Sequence, residues 1–217
     1  MTAESTVTTS PASTPAPENT PPWESVASRL RNYTGPDDLS AYQYVFESPL
    51  IQMPPGVKDF ARESFQPGTP VLEGALDLNR RIFTGFTYDK SATTVDTPIA
   101  QVLSNRKGVC QDFAHLFIAC ARSLGLAARY VSGYLETLPP PGKPKLIGAD
   151  ASHAWVSVFV PDFGWVDLDP TNNLIAGERH ITLAWGRDYG DVTPVKGVVM
   201  GGGMHTLSVM GDVAPQS

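Results

Sequence analysis

The sequence predicts an α+β fold, an antiparallel sheet packed against helices, from three observations. Apolar residues recur at helical spacing in the first half of the domain. From residue 128 onward the period becomes that of strands. Two of those strands, joined by a four-residue turn, have a register that can be argued from side-chain alternation. Helices first and strands later is the order of a segregated α+β domain rather than of alternating βαβ units.

The helical part opens with Pro55–Phe65, introduced by Pro-Gly and carrying Val57, Phe60 and Phe65. A longer helix is expected over Pro70–Phe83, where Val71, Ala75, Leu78 and Ile82 form one stripe. Thr97-Pro98 reads as a capping hydroxyl followed by proline at the first helical position, and that helix ends before Gly108. The clearest helix follows. Phe113, Leu116, Phe117, Cys120 and Leu124 share a face, Gly125 terminates it, and Cys110 stands at its N-terminal end.

The strands begin with Ala128–Leu135, and Pro139-Pro140-Pro141-Gly142 is a surface loop. His153–Val160 and Trp165–Pro170 flank Pro161-Asp162-Phe163-Gly164, which is turn chemistry. Placing Val160 opposite Gly164 sets Val158 against Val166 and Val156 against Leu168, so the aliphatics gather on one face. His153, Trp155, Asp167 and Asp169 then share the other face; a slip of one residue would set valines against aspartates. Further strands are expected around His180–Trp185, Val195–Met200 and His205–Val209.

Composition narrows the function. The chain of 217 residues carries 16 Lys+Arg against 22 Asp+Glu, a net charge of −6. That balance argues against nucleic acid as a partner. The most apolar stretch, Ala114–Val131, is interrupted by His115, Arg122 and Arg129, so no membrane span is expected. Of the first 22 residues, 17 are Ser, Thr, Pro or Ala. They lack the basic start and apolar run of a secretory signal and read as a disordered tail, with the folded domain over residues 23–217. Cys110 and Cys120 are separated by about 15 Å along one helix, too far for a disulfide. Free thiols without a signal peptide point to the cytoplasm.

Candidate chemistry centres on Cys110. At a helix N-terminus, unpaired N–H groups and the macrodipole stabilise an anionic sulfur, and Arg106 and Lys107 lie just upstream. Cys120, inside the apolar stripe, reads as a small core residue. His153 and Asp169 are diagonal neighbours on adjacent strands, about 7–8 Å apart at Cα and within reach of a His–carboxylate hydrogen bond. Thiol, imidazole and carboxylate are the parts of a nucleophilic triad. Metal chemistry is not expected, because neither Cys-x-x-Cys, His-Glu-x-x-His nor a calcium loop occurs. No cofactor is implied.

Four blocks carry a family resemblance: Gly108-Val109-Cys110-Gln111-Asp112-Phe113-Ala114-His115, Ala128-Arg129-Tyr130-Val131-Ser132-Gly133-Tyr134-Leu135, Ser152-His153-Ala154-Trp155-Val156 and Gly164-Trp165-Val166-Asp167-Leu168-Asp169-Pro170-Thr171-Asn172. In order and spacing they resemble the microbial transglutaminase-like cysteine protease family, over about residues 25–210. The resemblance implies a papain-like transglutaminase core with Cys110 as nucleophile, His153 as general acid/base and Asp169, the acid directly before Pro-Thr, as its orienting partner in preference to Asp167. Relatives often carry an N-terminal β domain; here the Ser/Thr/Pro tract stands in that position.

The implied reaction is thiol-dependent acyl transfer on peptide or glutamine amides through a thioester, resolved by water or by a primary amine. Its oxyanion would be held by the Cys110 N–H and a second donor, for which Tyr88 is the candidate. Gln111 and Trp155 are further substrate-site candidates; Trp155 and Trp165 could wall a narrow acyl channel, although aromatic strand residues are more often core. Asp150, Ser152, Arg187, Asp188 and Tyr189 could border the cleft, though loop polarity explains them equally well. His115 and Asp112 read as structural, Gly201-Gly202-Gly203 as a turn, and His205 has no evident partner. The competing expectation is a catalytically silent module that binds a peptide or protein. Oligomeric state is left open.

Overall fold

A computed structural model describes residues 4–11, 13–33, 35–136 and 152–193, together with 197, 201, 213 and 214. The elements, in order, are α1 (Trp23–Asn32), α2 (Pro36–Tyr42), α3 (Val57–Arg62), α4 (Val71–Gly85), β1 (Thr87–Tyr88), α5 (Ile99–Asn105), β2 (Lys107–Gly108), α6 (Cys110–Ser123), β3 (Ala128–Leu135), β4 (Ser152–Val160), β5 (Gly164–Asp169), β6 (Leu174–Ile175) and β7 (His180–Gly186). Five strands form an antiparallel sheet in the order β6-β5-β4-β3-β7. The expected loop at 139–142, most of the strands at 195–200 and 205–209, Gly202, Gly203, Asp150 and His205 lie outside the described residues. Among the described residues no helix is long and apolar enough to cross a membrane.

The hairpin adopts the register that alternation favours, with Val160 opposite Gly164, Val158 opposite Val166 and Val156 opposite Leu168. Its turn places Asp162 and Gly164 at positive φ, 65° and 109°. The aliphatic face of the hairpin is buried against α6.

α6 is more deeply enclosed than a one-sided stripe implies. Every residue from Asp112 to Arg122 is buried, because the sheet covers one side and α3, α4 and α5 cover others. Ala114, Ala119 and Ala121 let those neighbours approach closely. Arg122 lies within this core, 2% exposed. Its guanidinium donates to the carbonyls of Tyr44, Phe46, Ala128 and Arg187. One cation thereby binds the chain before α3, the start of β3 and the loop after β7.

Three boundaries differ from expectation. α5 begins at Ile99 with Pro98 as its N-cap, and the Thr97 hydroxyl instead accepts from Thr94 N–H. α1 and α2 are additional helices, whose buried faces are too short to give a periodic signal: Val26, Ala27 and Leu30 in α1, Asp38 and Ala41 in α2. The end of the Ser/Thr/Pro tract is ordered against the domain. Pro17–Asn19 form a 3₁₀ turn, Thr20 is 6% exposed, its hydroxyl accepts from Leu72 N–H, and the Pro21 carbonyl accepts from Val71 N–H. These bonds satisfy orphan donors at the start of α4, whose own N-cap is proline. Packing therefore starts before Trp23.

Candidate active site

The site is built where the first turn of α6 meets the ends of β4, β5 and β7. Asp112 folds back over that first turn: its Oδ2 accepts from Val109 N–H at 2.7 Å and from the Thr93 hydroxyl at 2.6 Å. Burial pushes its pKa up, while those two donors pull against the shift. The close approach needs glycine at 108, since a Cβ there would lie 2.8 Å from Asp112 Cβ. β1 and β2 pair in parallel, Tyr88 opposite Gly108, and place Tyr88 beside the helix start. Neither two-residue strand is long enough to show periodicity.

Cys110 is therefore the first residue of a pinned helix and is partly exposed. Its thiol lies near enough to His153 to favour the charged imidazole. His153, at the start of β4, uses Nε2 to bond Asp169 Oδ2 at 2.7 Å. A carboxylate only accepts, so Nε2 carries the proton and Nδ1 is the atom left for sulfur. Burial opposes a charged imidazole, but the hydrogen bond to Asp169 and the neighbouring Cys110 outweigh it and raise the His153 pKa to about 9.

Asp169 is fully buried. Oδ1 accepts from Thr171 and Asn172 N–H at 2.9 and 3.2 Å. Oδ2 accepts from His153, from the Asn172 amide at 2.7 Å and from His180 Nε2 at 3.1 Å. Burial alone would raise its pKa; the donors, led by His153 and His180, hold it well below the usual carboxylate range. Asp167, on the same face, accepts from Trp155 Nε1 at 3.1 Å.

The remaining candidates fall in different places. Tyr88 is 48% exposed, and its pKa is raised by burial and by the nearby charge of Cys110. Gln111 is tied to the loop before α5, its amide donating to Val95 O at 3.0 Å. Trp155 is a correction: it is fully buried and cannot wall a substrate channel. Its ring instead supports His153 and His180, with centroids 6.1 and 5.2 Å away. Trp165 packs against Tyr44, Phe159 and the Arg129 guanidinium. His115 is buried, with a pKa lowered to about 4 by desolvation, and its Nε2 accepts from Tyr189 N–H. Asp188 accepts from Leu50 N–H and Gly190 N–H, and Arg187 pairs with Asp191. Cys120 is fully buried, which pushes its thiol pKa well up.

Sequence reasoning did not single out His180 or the Asn172 side chain. Asn172 follows the Asp-Pro-Thr block, so its closeness to Asp169 was available as a signal; His180 carried none. Among the described residues, His153, Asp169 and His180 are also the one group whose ligand-type atoms cluster, all within 4.8 Å of one another. Hydrogen bonds between the imidazoles and the carboxylate already use those atoms.

The model of the transglutaminase-like superfamily matches residues 58–170, a stretch that holds Cys110, His153 and Asp169. Uncharacterized proteins of Mycobacterium tuberculosis and Mycobacterium bovis are each 44% identical over 199 residues, which is 89% of this chain. The chain spans 62% of the length of these relatives. A protein-glutamine gamma-glutamyltransferase of Pseudomonas aeruginosa is 34% identical over 95 residues, 43% of this chain and 14% of that protein. Among solved structures, a candidate cysteine protease from Cytophaga hutchinsonii superposes with a TM-score of 0.60 at 28% identity, covering 71% of this chain and 49% of the other. By its fold, its pinned helix-terminal cysteine and the family match over more than half its length, this chain belongs to the transglutaminase-like superfamily.

Proposed function

We propose that this protein carries out thiol-dependent acyl transfer on peptide or protein amides, with Cys110 as nucleophile, His153 as general acid/base and Asp169 as the orienting carboxylate. The His153–Asp169 hydrogen bond of 2.7 Å, with Cys110 at the helix start near enough to raise the His153 pKa, supports this reading most directly.

In the first half-reaction Cys110 sulfur forms a bond to the amide carbon, and the carbonyl π pair moves to oxygen. The Cys110 N–H, at the helix start where donors lack intrahelical partners, receives that oxyanion, with the Tyr88 hydroxyl as second donor. The C–N bond then breaks as His153 gives its proton to the departing nitrogen, leaving a thioester. In the second half-reaction water or a primary amine attacks the thioester carbon. His153 takes the proton of that nucleophile, and the C–S bond breaks to restore the thiolate.

A blocked glutaminyl-glycine dipeptide, with and without putrescine, tests the reading. Ammonia should be released in both cases, and amine incorporation should rival hydrolysis if the site excludes water. No ammonia from this probe, with no cleavage of a peptide library, would favour the silent binding module.

The raised His153 pKa sets the alkaline limb. The first step needs a protonated imidazole, so kcat/KM should fall as pH rises through about 9. The same shift contributes stability that is fully present below pH 6.5 and is lost as pH rises through about 9. The lowered Asp169 pKa acts at the other end, giving stability above the ordinary carboxylate range that is lost on acidification. A profile flat to pH 10 would contradict the assignment of His153.

A further inference from the structure

We infer that His180 is a positioning residue of this site, its Nε2–H holding the Asp169 oxygen that orients His153. The inference rests on the function proposed above and concerns a residue beyond position 170, where the family match ends.

The tautomer of His180 follows from its two contacts. Gly177 N–H donates to His180 Nδ1 at 3.3 Å, and His180 N–H returns a bond to the Gly177 carbonyl at 2.8 Å. An Nδ1 that accepts carries no proton, so the ring proton sits on Nε2, 3.1 Å from Asp169 Oδ2. The side chain is 5% exposed and its ring stands edge-on to Trp155. His180 thus enters the site locked at both ends.

The backbone is shaped to deliver it. β7 pairs with β3 across an irregularity between Ser132 and Gly133, where the register shifts. Gly133 lies opposite His153 on one side and Thr182 on the other. A Cβ at Gly133 would lie 2.0 Å from the Ile181 carbonyl and 2.6 Å from the Trp155 ring, so only glycine lets β7 sit this close. That approach brings the start of β7 over the ends of β4 and β5.

The consequence is a carboxylate with no freedom to turn. Three side-chain donors converge on Oδ2 and two backbone N–H groups on Oδ1. Fixing Oδ2 fixes the plane of the His153 imidazole and keeps Nδ1 directed at Cys110, the alignment on which proton transfer depends.

Two substitutions separate this role from simple packing. His180→Phe keeps a ring against Trp155 but has no donor; His180→Gln keeps an N–H donor and loses the ring. The readout is the rate of iodoacetamide alkylation at pH 7, mapped to Cys110 and Cys120, with thermal melts as a folding control. His180→Phe should slow Cys110 alkylation about 10-fold, the order of effect expected for a misaligned catalytic group. His180→Gln should recover most of the rate, and Cys120 should be unaffected. Full reactivity in His180→Phe, or a Gln variant as slow as the Phe variant, overturns the inference. If His153→Ala slows Cys110 in the parent protein while His180→Phe does not, the triad stands and only His180 is misassigned. If His153→Ala has no effect, the proposed function falls and this inference with it.

Discussion

Asp169→Ala should lower kcat/KM on the glutaminyl dipeptide by about 10³- to 10⁴-fold, a loss of the size seen when the orienting acid of a nucleophilic triad is disabled. Two imidazoles, one amide and two backbone N–H groups lose their acceptor at once. The remaining activity should lose its alkaline limb near 9, because the bond to Asp169 is the main favourable contribution holding the His153 proton. Melting should also fall, since buried donors are left unsatisfied. Steady-state kinetics well below the new melting temperature separate the two effects. Activity within a factor of ten of the parent would remove Asp169 from the mechanism.

The largest effect on stability should come from Arg122→Leu. The substitution is close in volume and suits an apolar helix, yet it removes the donor shared by four carbonyls from three segments. Burial lowers the Arg122 pKa to about 10, with the charge of Asp188 opposing that shift, so the cation persists at neutral pH. Each buried carbonyl left without a donor costs about 1–3 kcal/mol, so a total loss of about 3 kcal/mol or more is expected. Urea unfolding followed by tryptophan fluorescence checks this. A loss below about 1 kcal/mol would mean that water or local repacking takes over the carbonyls.

Legibility in the sequence follows from how local each feature is. The hairpin register was readable because Val156, Val158, Val160, Val166 and Leu168 can share one face in only one alignment. That alignment also fixed the diagonal between His153 and Asp169, and the apolar run after Cys110 placed that cysteine at a helix start. The roles of Arg122 and Trp155 were hidden for the same reason. An arginine in an apolar run looks like an interruption, and a tryptophan beside a candidate histidine looks like a channel wall. Only tertiary packing shows that one caps carbonyls and the other is fully buried beneath the imidazoles. His180 was invisible because it reaches Asp169 from the far edge of the sheet. Gly133, an isolated glycine in a strand pattern, was the one sequence-level mark of that close approach. The ordered end of the Ser/Thr/Pro tract escaped because composition describes a segment's average tendency, whereas Thr20 and Pro21 each accept from one specific donor on α4.

The central claim is that the Cys110 sulfur and the His153 imidazole act together as nucleophile and base. Iodoacetamide labelling between pH 5 and 9, resolved by peptide mapping in the parent and in His153→Ala, measures this directly. The account predicts that Cys110 reacts at neutral pH far faster than buried Cys120, and that His153→Ala abolishes the neutral-pH reactivity. An unchanged Cys110 profile in His153→Ala would contradict it.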